Sequence, residues 1–89
     1  MVDRLKIERR GGFTGLPARG EVETASLSAA DLASVEALFR RKTPPPPSPG
    51  ADRFTFRLSR HRESGVQTMD VPEHLLPAAL AVAVKEELP

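Results

Sequence analysis

Apolar and polar residues alternate along much of this chain, and the places where the period changes divide it into elements. Leu5 and Ile7 are separated by Lys6 and followed by Glu8. That spacing predicts a strand with one buried and one wet face. Glu21, Val22, Glu23 and Thr24 resume the same alternation. Between the two lies Gly11-Gly12-Phe13-Thr14-Gly15-Leu16-Pro17. The glycines permit backbone angles that other residues avoid and Pro17 fixes one dihedral, so a shaped loop is expected. An antiparallel hairpin is the simplest way to join its two flanking strands.

The period then lengthens. Ser28 stands where its hydroxyl can cap the amide of Asp31, and Leu27 can staple onto Leu32. These are the marks of a helix start. Leu32, Val35, Leu38 and Phe39 follow at helical spacing, while Arg40, Arg41 and Lys42 suit the negative end of the helix. Pro44 ends it, because proline lacks the amide hydrogen that would continue the ladder. The stretch Pro44-Pro45-Pro46-Pro47-Ser48-Pro49-Gly50 is expected to be an extended connection, an internal Pro-rich loop over residues 43–51.

Phe54, Phe56 and Leu58 alternate with Thr55, Arg57 and Ser59, which predicts the strongest strand in the chain. Residues 60–65 are polar, end in Gly65 and read as a hairpin loop. The returning strand, 66–71, then carries Gln67, Met69 and Val71 on one face. Pro72 and Pro77 suit a first helical turn, and Leu76, Leu80 and Val84 recur every four residues, so a C-terminal helix is expected. Glu86 and Glu87 at its negative end would fray the last turn. The order strand, strand, helix, strand, strand, helix predicts an α+β fold. It is a four-stranded antiparallel sheet with both helices on one face, in a single domain over residues 1–89.

Composition narrows what such a domain does. Lys and Arg number 13 against 12 Asp and Glu, for a net charge of +1, so the molecule projects no strong field toward nucleic acid. The arginine clusters Arg9-Arg10, Arg40-Arg41 and Arg57, Arg60, Arg62 are the features that favour phosphate contacts. Against them, the chain has no Trp or Tyr on which bases could stack. Without cysteine there is no disulfide and no thiol chemistry. His61 and His74 lack the spacing of a zinc site. No serine sits in a nucleophile elbow, and the glycine loop lacks the Lys-Ser/Thr ending of a phosphate loop. The expectation is a protein that catalyses nothing, holds no metal or cofactor, and binds neither nucleic acid nor membrane. With no leader or apolar span visible in the sequence, the expected location is cytoplasmic.

The glycine loop has two readings. Phe13 either folds back onto the sheet, or stands with Leu16 at a partner-binding tip. The motif Ile7-x-x-x-Gly11-Gly12-Phe13-Thr14-Gly15-Leu16, followed by Val22-x-Thr24 and a leucine-rich helix, resembles the emfourin family. These are small protein inhibitors of protealysin and other thermolysin-like metallopeptidases. The stretch Asp52-Arg53-Phe54-Thr55-Phe56-Arg57-Leu58, then Val71-Pro72 and Leu76-Pro77, is similar to the family's third strand and its exit into a helix. The proline run departs from the family. The resemblance implies an inhibitor of a thermolysin-like zinc peptidase, and the chain is expected to be a monomer. Its contact loop would be Gly11, Gly12, Phe13, Thr14, Gly15 and Leu16, with Met1, Val2 and Asp3 as auxiliary contacts beside it. The alternative from another class is an adaptor module that offers its polyproline segment as a ligand.

Overall fold

The computed structural model describes residues 2–11, 18–41 and 54–86. Within them the chain forms β1 (Asp3–Gly11), β2 (Ala18–Glu23), α1 (Ala29–Phe39), β3 (Phe54–Arg62), β4 (Gly65–Pro72), α2 (Ala78–Ala81) and β5 (Lys85–Glu86). Short 3-10 turns at Thr24–Ser26 and Glu73–Leu75 lead into the two helices. The strands form one antiparallel sheet in the order β4-β3-β1-β2-β5. It is the expected four-stranded sheet with a two-residue strand added at one edge.

The alternation read from the sequence is the alternation of the two sheet faces. Leu5 and Ile7 of β1 and Phe56 and Leu58 of β3 are buried on the inner face, where Ile7 pairs with Leu58. Val71 of β4 joins them opposite Phe56. Both helices cover this face: α1 contributes Val35 and Leu38, and the C-terminal segment contributes Leu76 and Leu80. Val22, Leu27, Phe39 and Phe54 are partly buried against the same cluster. Helix α1 begins as its residues dictate, with the Ser28 hydroxyl accepting from the Asp31 amide at 3.1 Å. That bond satisfies one of the amides a helix start leaves open.

Two elements differ from the sequence reading. Strand β3 runs on through Arg60 and His61 to Arg62, and the turn shrinks to Glu63 and Ser64. Gly65, at φ 136°, then takes a backbone angle that side-chain-bearing residues avoid. The C-terminal helix is shorter than expected. It stops at Ala81, Val82 points into solvent, and the chain returns as β5 beside β2, pairing Ala18 with Glu86 and Arg19 with Lys85. Gly20 makes this return possible. A Cβ there would overlap the Ala83 carbonyl, so only glycine lets the two backbones approach so closely.

Candidate functional site

Residues 12–17 lie outside the described residues, and with them Gly12, Phe13, Thr14, Gly15 and Leu16; so does the proline run. What the structure defines is the platform the loop leaves from and returns to. Gly11 ends β1, the strand that pairs with both β2 and β3, and Ala18 begins β2 fully buried. The last described pair of the hairpin is Arg9 with Ala18, and Gly11 pairs with Phe54 on the other side. The loop is therefore held at both ends by an interior part of the sheet.

Two contacts steady that platform. Arg9 occupies an inner-face position and lays its guanidinium over the Phe54 ring, 4.4 Å from the centroid. A cation in that position is attracted by the negative face of the ring. The Phe54 amide donates to a Glu73 carboxylate oxygen at 3.4 Å, which ties the start of β3 to the turn after β4. Neither contact was read from the sequence. The available signal was parity: Arg9 falls two residues after Ile7, on the buried side of an alternating strand.

Of the auxiliary residues, Met1 lies outside the described residues, and Asp3 stands at the other end of β1 from Gly11, where the loop departs. Asp3 and Gly11 are the two ends of β1, which separates them by roughly 26 Å at about 3.3 Å per residue. Asp3 also has an internal role. Arg60, only 9% exposed, donates two hydrogen bonds to its carboxylate, at 2.9 and 2.8 Å. The Thr24 hydroxyl donates to the Asp3 carbonyl at 3.1 Å and fastens the same corner. The hydrogen bonds from Arg60 hold the Asp3 carboxyl below its usual range against the opposing effect of burial. Val2 is exposed next to this corner.

The arginine clusters of the sequence separate in the fold. Arg60 turns inward, whereas Arg57 lies on the open face against Asp70 at 3.4 Å. Arg62 donates to the Gln67 side chain at 3.0 Å. Arg10 sits 3.7 Å from Glu8 on the open face while its neighbour Arg9 faces the core. Further cross-strand pairs, Arg4 with Glu23 at 3.2 Å and Lys6 with Glu21 at 3.7 Å, give the open face charges of both signs. An open depression of about 520 Å³ there, lined by Lys6, Glu8, Arg19, Glu21, Arg57 and Ser59, is correspondingly mixed. His61 and His74 lie at opposite ends of the β3–β4 hairpin. Among the described residues no three His, Asp or Glu side chains are grouped to hold a metal.

The profile of the Emfourin family matches residues 7–87, nearly the whole chain and all of the glycine loop. No curated protein and no solved structure matches the chain.

Proposed function

The chain belongs to the Emfourin family, a family of protein inhibitors of peptidases, and from that premise we propose that it inhibits a thermolysin-like zinc metallopeptidase of the protealysin type. The contact is the loop Gly11, Gly12, Phe13, Thr14, Gly15 and Leu16, inserted into the active-site cleft. The family match across the loop and its flanking strands carries this reading. Physical chemistry supports it. Such peptidases favour a large apolar residue just beyond the scissile bond, and Phe13 or Leu16 supplies one. Glycines let the rim of the cleft approach the backbone closely. The residues that flank the loop, Gly11 and Ala18, are fixed in paired strands, so its two points of attachment need no ordering on binding.

The test is titration of thermolysin, or of a peptidase encoded beside this protein, with wild-type and Phe13→Ala chains. Wild type is expected to inhibit. The variant is expected to weaken inhibition by roughly 2 kcal/mol, about thirtyfold, with its thermal midpoint little changed. Failure of the wild-type chain to inhibit either enzyme overturns the function. Full inhibition by a folded Phe13→Ala chain moves the anchor to Leu16, and loss of folding assigns Phe13 to the core.

A further inference from the structure

The two edges of the sheet are unlike. At one, β2 is covered at Ala18 and Arg19 by β5, whose residues are Lys85 and Glu86. At the other, β4 presents eight residues, Gly65–Pro72, that pair with β3 on one side only among the described residues. Its register against β3 runs unbroken from Arg62↔Gly65 to Thr55↔Pro72, so no bulge twists the edge away. Its one proline stands at the far end. The open side thus carries a row of backbone donors and acceptors without the lysines, mid-strand prolines or bulges that usually prevent pairing with another chain.

The charge pattern says which partner this edge suits. Residues 64–69, Ser64-Gly65-Val66-Gln67-Thr68-Met69, carry no charge, and the one charged residue of the strand, Asp70, is engaged by Arg57. Every other strand is charged: Asp3, Arg4, Lys6, Glu8, Arg9 and Arg10 in β1 alone. When two copies of one strand pair antiparallel, each residue faces the mirrored position of the same sequence, so charges of a charged strand are brought against its own charges while an uncharged strand meets no such conflict. Val66, 58% exposed on the open face, has no function in the core.

We propose that β4 is a self-pairing edge through which two copies of this chain join antiparallel about a two-fold axis, in place of the monomer expected from the sequence. Centring the pairing on Gln67 sets Val66 opposite Thr68 of the partner subunit, both on the open face. It leaves Asp70 opposite Ser64 of the partner subunit, so no like charges meet. The geometry also fixes where the inhibitory loops go. β4 ends at Pro72, at the same end of the sheet as Gly11. An antiparallel pairing therefore carries the Gly11 ends of the two β1 strands, from which the glycine loops depart, to opposite ends of the joined sheet. The dimer does not depend on the inhibitory reading, and each can fail alone.

The experiment is sedimentation velocity on the full chain over a concentration series, with Val66→Lys as the variant and Ala33→Lys, on the exposed side of α1, as the charge control. Wild type and the control are expected to pass from monomer to dimer as concentration rises. Val66→Lys, which sets a cation on each side of the seam, is expected to weaken the dimer by about tenfold or more. Circular dichroism and peptidase inhibition should stay at wild-type levels. Because the chain has no native cysteine, Gln67→Cys provides a second readout, a disulfide-linked dimer on mild oxidation. A wild-type chain that stays monomeric throughout overturns the proposal. So does a dimer that Val66→Lys leaves intact, or a Gln67→Cys chain that does not cross-link at concentrations where wild type is dimeric.

Discussion

The inner face of the sheet carries an arginine near each end, and the two are accommodated by different chemistry. Arg60, beside the N-terminus of β1, meets the Asp3 carboxylate in a two-pronged ion pair. Arg9, beside the glycine loop, lies over the ring of Phe54. A planar guanidinium can do either, since it matches a carboxylate edge-on and an aromatic face flat. The consequences differ. An ion pair partly removed from water, here with Arg60 buried and Asp3 half-buried, is strong while both partners are present and costly when the carboxylate is lost. A cation over a ring involves no second charge that its loss would leave unpaired, so its formation and its loss both count for less. The end away from the loop is locked, and the end that bears the loop is steadied by a milder contact.

Removing one partner at the locked end should have the largest effect. Asp3→Ala leaves Arg60 facing the core without its carboxylate and is expected to cost about 2–3 kcal/mol in urea unfolding. Adding Arg60→Met to that variant should recover part of the loss, because an apolar side chain of similar length needs no partner. A double variant no more stable than Asp3→Ala would mean that packing, rather than charge, holds this corner.

Acid should weaken the same end. The folded-state pKa of Asp3 lies below its ordinary value of 3.8, chiefly through the hydrogen bonds from Arg60. The stabilisation from that shift is therefore complete above 3.8 and is lost as pH falls through the depressed folded value. Unfolding free energy of wild type should drop over that acid range, and Asp3→Ala should drop less. Parallel curves for the two proteins would assign the acid loss to other carboxylates.

The smallest effect belongs to the loop end. Phe54→Leu keeps an apolar side chain but removes the ring face from Arg9, and should cost about 0.5–1 kcal/mol. Hydrogen exchange should quicken at the ends of β1 and β2 next to the loop while the corner of Asp3 and Thr24 keeps its protection. A loss as large as that of Asp3→Ala would abolish the distinction between the two ends.

Both arginines also show where the sequence is legible. The strands through Leu5, Ile7, Phe56 and Leu58 were plain because apolar alternation is a local signal, as was the helix start at Ser28. From the sequence alone β3 ends at Ser59, because Arg60 opens a polar run that closes on Gly65. The strand continues because the carboxylate that admits Arg60 to the inner face lies 57 residues earlier in the chain. The early end of the C-terminal helix has a similar cause: Leu80 and Val84 keep helical spacing, yet the chain turns back to pair with β2 over Gly20. A glycine inside a strand was the available hint of a close backbone approach.

By itself, then, the sequence determined the α+β class, the order of the strands and helices, most of the core, the glycine-rich composition of the loop and membership of the family. Each of these is written in neighbouring residues, as a period, a cap or a motif. Only the tertiary structure decided that Asp3 locks Arg60 far from the loop, that β5 pairs along one edge and that, among the described residues, β4 pairs on one side only. Those outcomes depend on which distant segments become neighbours, and burial settles that for the chain as a whole.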